Sequence, residues 1–407
     1  MPTSRMRPFK ETIPLDAARA IVDRSGTPIA RVETIPLEQA HGRVTARDVI
    51  APADVPPFSR AAMDGYAVRA ADTRGAARSQ PRRLRQIATL YTGQVSTVAV
   101  GKDECIEIAT GAPMPEGADA VVIVEDTDCD AEHLVDVYVE VQPAQNIGRR
   151  GADIQAGQTV LHRGEALNSS RVGALAALGM ARVEVYERPR VAILSTGNEV
   201  DEPGQPLKPG HIYDINRFTL SAVVADNGGV AVAFPPAPDT RESLTDALEK
   251  SLAHDVVVFS GGSSVGERDL MIDVLSAKGD VLFHGISVKP GKPTGFAIVS
   301  GKPVFAMPGY PASCLTNAHI LLAPLVRRLA HLPPKPARTL MLPLAQRIVS
   351  APNRHQFYTV RIVDGSAVPA FKASGDITSM SQADGYIEIP ATVEAVERGS
   401  LVEVTLF

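Results

Sequence analysis

Between residues 190 and 331 the chain repeats one pattern: a short continuous apolar run, a break of small residues, then a stretch with helical spacing. The runs are "VAIL" (191–194), "VAVAF" (230–234), "DVVVFS" (255–260), "VLFHGISV" (281–288) and "PVFAMP" (303–308). Uninterrupted apolar runs suit strands covered on both faces, because a sheet with one wet face alternates apolar and polar residues. Helical spacing lies between them at 216–225, ending at Asn227-Gly228-Gly229, at 240–253, and at 269–277, ending at Gly279. Asp239-Thr240-Arg241-Glu242 predicts a capping box with Asp239 as N-cap. Alternation of this kind predicts an open, mostly parallel α/β sheet.

Ligands of such a sheet bind beyond the carboxyl ends of its strands, where backbone amides and helix starts collect. Three loops fall there: Ser195-Thr196-Gly197-Asn198-Glu199, the run "SGGSSVGERD" (260–269), and Pro308-Gly309-Tyr310-Pro311-Ala312-Ser313. Small residues let a ligand approach the backbone, and hydroxyls can bond phosphate oxygens. The second loop therefore reads as an anion cradle. Its acids, Glu267 and Asp269, repel phosphate unless a cation lies between, which points to Mg²⁺ held by carboxylate and phosphate oxygens. Asp269 has an equally good reading as a helix N-cap. "SVKPGKPTGF" (287–296) favours the anion: Lys289 and Lys292 project from a backbone stiffened by Pro290 and Pro293. Each ammonium can contribute up to about 4 kcal/mol toward an anion 4 Å away at intermediate dielectric, before desolvation. Loop lysines are otherwise ordinary solvated surface.

Residues 15–51 begin with helical spacing and become extended, and 170–178 are helical again; the two predict one mixed domain, 1–54 with 144–187, interrupted by an insertion. That insertion, 55–143, carries apolar runs at 87–90, 98–100, 106–108, 120–124 and 135–141 and predicts a β-rich domain. The α/β domain spans 188–332. "HLPPKPAR" (331–338) reads as a linker, and 333–407, with "FYTVRIV", "YIEIP" and "LVEVTLF", predicts a C-terminal β barrel or sandwich.

The chain has 407 residues, 44% of them hydrophobic, so several ordinary cores can form. A net charge of −5 offers no general attraction to nucleic acid or an anionic membrane. Cys105, Cys129 and Cys314 match no metal or disulfide spacing and read as structural, as in a reducing cytoplasm. The N-terminus lacks the apolar core of a signal peptide and no run approaches a membrane span, which predicts a cytoplasmic protein. The α/β region has no Walker sequence, no G-x-G-x-x-G and no G-x-S-x-G elbow, and His211, His254 and His284 are isolated.

Eight stretches together resemble the molybdopterin molybdenumtransferases, or molybdenum insertases, which include MoeA and the E domain of gephyrin: "PPFSRAAMDGYAV" (56–68), "IATGAPMPEGADAVVIVED" (108–126), "NIGRRGADIQAG" (146–157), "STGNEV" (195–200), "YDINR" (213–217), "SGGSSVGERD", "KPGKP" (289–293) and "MPGYPASC" (307–314). They span nearly the whole chain in the family's order. The resemblance implies a homodimer of four-domain subunits with a MogA-like α/β domain, the active cleft lying between that domain of one chain and the inserted domain of the other. It implies Mg²⁺-dependent cleavage of adenylylated molybdopterin, transfer of molybdate to the dithiolene, and release of AMP and molybdenum cofactor. Transient contacts with the molybdopterin adenylyltransferase and apo-molybdoenzymes are implied too.

By position, the resemblance makes Asp269 the Mg²⁺-linked acid, with Asp239 and Glu199 as supporting acids. Lys289, Lys292 and Pro293 resemble the oxyanion region, joined by Ser379 of "DITSMSQADGY" and by Pro308 and Gly309. Gly261, Gly262, Ser263 and Ser264 would cradle pterin or phosphate through backbone amides. Asp64 and Thr110 would come from the partner's inserted domain, and Asp153 matches an acidic position in "RRGADI". Three positions depart from the family: Ser59 stands for an aspartate, Tyr310 replaces the small amide of "PGNP", and Thr359 occupies a place where arginine is common. These departures keep open a non-catalytic molybdopterin carrier beside the insertase. A scaffold of the gephyrin type and an unrelated nucleotide-cleaving enzyme fit the motifs less well.

Overall fold

The structure, a computed structural model, describes residues 12–261 and 270–407. Two compact units emerge, one comprising the chain up to Thr34, Gly42–Ala46 and Glu184–Phe407, the other Ile35–His41 and Arg47–Val183. This division is coarser than the four expected segments and cuts across the first of them. No helix among the described residues is long and apolar enough to cross a membrane.

The first unit contains the α/β sheet. Its strands are β1 (Arg190–Ser195), β2 (Val230–Ala233), β3 (Val256–Ser260), β4 (Asp280–His284), β5 (Gly295–Val299) and β6 (Lys302–Met307), in spatial order β2-β1-β3-β6-β5-β4. The first four in that order are parallel; β5 and β4 are antiparallel additions. Alternate residues go to opposite cores. Val256, Val258 and Phe305 pack with Leu220, Val224 and Leu325, whereas Val257, Phe259 and Ala306 pack with Leu244, Leu248 and Met271. Burial on both faces is the reason these strands read as unbroken apolar runs.

Two sequence expectations change here. The run 281–288 is one strand only as far as His284, and Val288–Lys289 pair instead with His355–Gln356 of the C-terminal sheet. "GFAIV", passed over in the sequence, is β5, turned into β6 by Ser300-Gly301 with φ of 49° and 75°. Positive φ at both central residues is the two-residue hairpin geometry that matches strand twist.

Helices α1 (Asn216–Asp226), α2 (Arg241–Ser251), α3 (Leu270–Lys278) and α4 (Pro311–Asn317) cover the sheet, and the chain continues helically from α4 to Leu329. The N-cap of α2 is Thr240, whose hydroxyl accepts from the Ser243 amide at 3.2 Å. Asp239, the predicted N-cap, thus lies one residue before the observed one. The helix Leu15–Asp23 buries Leu15, Ala18 and Val22 in the core that holds Val191 and Val256.

The C-terminal sheet orders Val288–Lys289, His355–Val363, Gly385–Ile389, Leu401–Leu406 and Thr339–Pro343, with Ser366–Pro369 on the other side of His355–Val363. A bridge from Leu344 to Ala367 links the last strand back to that flanking one, so the pairings run in a ring. In the second unit a six-stranded sheet orders Ala120–Ile123, Gly65–Val68, Glu104–Ile108, Arg82–Leu90, Leu134–Val137 and Thr127–Cys129. The predicted run 98–100 forms no strand; Val100 is buried and its amide donates to the Glu116 carbonyl.

Candidate functional site

Strands β1, β3 and β6 are immediate neighbours, so the three loops singled out in the sequence leave the sheet side by side. Ladder bonds continue past the strand ends: the Thr196 amide donates to Ser260 O at 2.9 Å and the Gly261 amide to Met307 O at 3.1 Å. The Gly261 amide is therefore committed and cannot serve a ligand as the sequence reading had it. What glycine supplies is room. At φ 108° a Cβ on Gly261 would stand 2.3 Å from the Thr196 carbonyl oxygen. Gly309 lies against the same point, a Cβ on it meeting Gly261 Cα at 3.4 Å, and the Gly309 carbonyl accepts from Asn216 Nδ2 at 2.8 Å.

Unpaired polar atoms collect at this edge. Thr196 Oγ1, Asn216 Oδ1 and Asp239 Oδ1 are buried and make no hydrogen bond of good geometry among the described residues, although the Thr196 hydroxyl lies close enough to the Asp239 carboxyl to act on it. Native interiors rarely leave such atoms unbonded, and each asks for a ligand, water or ion. Burial pushes the Asp239 carboxyl above its usual range, the Glu199 charge pushes it further, and the Thr196 hydroxyl acts in the opposite sense. Glu199 is exposed and its carboxylate folds back over Gly197, where a Cβ would come within 2.8 Å of Oε2. Two carboxylates that repel each other at the carboxyl edge of a parallel sheet are suited to a cation or a proton. Gly262, Ser263, Ser264, Glu267 and Asp269 lie outside the described residues.

Lys289, Lys292 and Pro293 sit in the connection between β4 and β5, all partly buried. This loop is shaped from inside by Asn317 of α4, whose Nδ2 donates to the Gly291 carbonyl at 2.8 Å and to Thr294 Oγ1. Gly291, at φ 101°, passes so close that a Cβ would stand 2.2 Å from Asn317 Nδ2. Helix α4 also anchors the segment carrying Ser379: the Ala312 amide donates to the Ser374 carbonyl at 3.1 Å, and buried Ser379 Oγ accepts from the Lys372 amide at 3.1 Å. Pro290, Thr316, Thr359 and Met380 line one apolar pocket, with Thr359 Oγ1 unbonded. One helix thus gathers Pro308-Gly309, the two-lysine loop and the Ser379 segment.

The strand Val288–Lys289 is pinned beside His355, whose Nε2 bonds Glu388 Oε2 at 2.9 Å. That bond, and then the Arg19 charge, hold the Glu388 carboxyl below its usual range against the opposing effect of burial. A depressed acid stabilises the fold above its unfolded pKa, near 4.5, and loses that contribution as pH falls through the folded value. Glu388→Gln is expected to destabilise the protein by about 1 kcal/mol at pH 7, a modest figure because the side chain is 37% exposed. Thermal melts should show the difference shrinking below pH 4.5; a gap that stays constant into acid would exclude the assigned ion pair.

In the second unit, Asp64 and Thr110 are in contact. The Thr110 amide donates to Asp64 Oδ1 at 2.7 Å and its hydroxyl to the same atom at 2.9 Å, which holds the carboxylate below its usual range. Asp153 is exposed, its amide donating to the Val55 carbonyl at 3.0 Å. Ser59 Oγ accepts from the Arg150 amide at 3.2 Å. Sequence reasoning passed over Thr196 as an individual, Asn216 and Asn317. "YDINR" held a signal for Asn216, whereas Asn317 acts across 26 residues on Gly291 and no local pattern marks it.

Three family descriptions match in order along the chain: "MoeA N-terminal region (domain I and II)" at 13–179, "Probable molybdopterin binding domain" at 192–328, and "MoeA C-terminal region (domain IV)" at 341–407. The sequence is 35% identical to molybdopterin molybdenumtransferase 2 of Mycobacterium tuberculosis over 384 residues, 91% of this chain and 94% of that protein. With the molybdopterin molybdenumtransferase of Staphylococcus epidermidis it shares 30% identity, covering 91% of this chain and 90% of that one. The fold is similar to the crystal structure of the molybdopterin biosynthesis MoeA protein from Pyrococcus horikosii, with a TM-score of 0.85 and 40% identity over 97% of this chain and 99% of that chain.

Proposed function

The chain belongs to the molybdopterin molybdenumtransferase (MoeA) family, and we propose that it is a molybdenum insertase. It takes adenylylated molybdopterin, cleaves the phosphoanhydride, transfers molybdate to the dithiolene and releases AMP and molybdenum cofactor. The observation that carries this reading is Asp239, a carboxylate displaced from the helix cap, with one oxygen unbonded and Glu199 beside it. Mg²⁺ ordinarily takes one or two protein carboxylates and completes its shell with water and substrate phosphate oxygens, so this pair fits it. Asp239 and Glu199, with Asp269 from the adjoining loop, would hold the ion. When bound, Mg²⁺ supplies positive charge to the phosphate oxygens.

The chain's own groups do the rest. Gly261 and Gly309 leave a floor without side chains on which the substrate can approach the backbone, and Thr196 Oγ1, beside the Asp239 carboxyl, would bond it. Lys289 and Lys292, on a loop held by Asn317, would offset the charge of molybdate together with Ser379. Asp64 and Thr110 would complete the cleft from the second subunit of a homodimer, and Asp153 belongs to the same inserted region. The four-segment organisation, a cytoplasmic location and brief contacts with the adenylyltransferase and apo-molybdoenzymes belong to this reading.

The purified protein is expected to release AMP from adenylylated molybdopterin with Mg²⁺, faster when molybdate is present. Ser59, Tyr310 and Thr359 favour one alternative, a carrier that binds the substrate and does not turn it over. Tight binding with no AMP would establish that alternative.

A further inference from the structure

We propose that Tyr310 is the stacking platform for a fused nitrogen heterocycle of the bound substrate, an inference that rests on the reading above for the identity of the ligand. Tyr310 is 67% exposed, more than any other phenylalanine or tyrosine among the described residues. Isolated exposed aromatics are ordinary on protein surfaces, but this one stands on a held turn at the carboxyl edge of β6. Its carbonyl accepts from the Cys314 amide at 2.9 Å. Gly309 before it and Ala312 two residues after it are fixed as well, Gly309 by Asn216 Nδ2 at 2.8 Å and Ala312 by the Ser374 carbonyl at 3.1 Å.

The ring itself has no aromatic partner and its hydroxyl no hydrogen bond among the described residues. Its surroundings are kept clear by glycines. Gly375 lies beside the ring, where a Cβ would stand 3.9 Å from Tyr310 Cδ1, and Gly309 abuts Gly261. A planar face left exposed on a held turn, one residue from Gly309 whose carbonyl is bonded by Asn216, has the shape that a flat heterocycle requires. Stacking is tolerant of ring identity because every such heterocycle has a π face. Pterin and adenine, the two ends of the substrate, share that chemistry.

The test compares wild type with Tyr310→Phe, Tyr310→Leu and Tyr310→Ala. In AMP release, Phe should keep KM within about 2-fold, while Leu and Ala raise KM about 10-fold, the scale of one stacked ring, with kcat little changed. Thermal midpoints should coincide, since an exposed ring contributes little to folding. Wild-type KM in the Ala variant, or in the Leu variant, overturns the proposal, the second because apolar area would then suffice. Calorimetric titration with AMP and, separately, with 6-hydroxymethylpterin covers a wild type that binds without turnover. Weaker pterin binding by the Ala variant assigns the ring to the pterin end, weaker AMP binding to the adenine end, and unchanged binding of both overturns stacking.

Discussion

Asp239→Asn is expected to slow AMP release about 100-fold or more while leaving substrate affinity within a few-fold, the pattern of a lost electrostatic stabiliser. Asparagine keeps the shape of the side chain and removes its charge. Helix α2 should not suffer, because Thr240 and not Asp239 caps it. The effect on stability should have the opposite sign to the effect on rate. Burial and the Glu199 charge raise the Asp239 pKa, so at neutral pH the ionised carboxylate costs the folded state free energy that asparagine would not. Melting at pH 7 should therefore occur at the same temperature or higher. Undiminished AMP release would remove Asp239 from the chemistry, and a lowered melting temperature would show instead a structural role for its charge. Functional sites commonly hold such locally unfavourable groups.

Gly261→Ala is the second large effect, and it acts on the scaffold. The new Cβ would collide with backbone, 2.3 Å from the Thr196 carbonyl oxygen, and would force a side chain into φ 108°. Neither partner can swing away, because Thr196 and Gly261 continue the ladder of β1, β3 and β6 through their amides. A loss of about 3 kcal/mol or more is expected from strain and broken ladder bonds together, with activity abolished. Denaturant unfolding measures it. Gly309→Ala is the control: among the described residues its Cβ meets only Gly261 Cα, at 3.4 Å, and it should cost less than about 1 kcal/mol. Equal losses in the two variants would show that contact at Gly261 does not limit the fold.

Much of the α/β unit was legible because burial on both faces leaves an unmistakable run, as at 191–194 and 255–260. The errors fell where a strand changes partner or lies next to tight turns. Residues 281–288 are one apolar run, yet hydrophobicity cannot tell that Val288 belongs to another sheet. The shift of the α2 cap from Asp239 to Thr240 is a one-residue difference between two good capping residues, decided by which side-chain oxygen reaches the Ser243 amide.

By itself the sequence determined the kinds of element, the three loops at the sheet's carboxyl edge, and a family membership carried by motifs spread along the chain. These follow from local rules: periodicity, turn chemistry and residue type at short spacing. Only the tertiary structure decided that Gly261 gives space and not an amide, that Asp239 is free of the helix, and that Asn317 holds the two-lysine loop. Each depends on which group occupies a hydrogen bond or a van der Waals radius, at Gly261 and Asn317 a group of a distant segment. That information exists once the segments have packed.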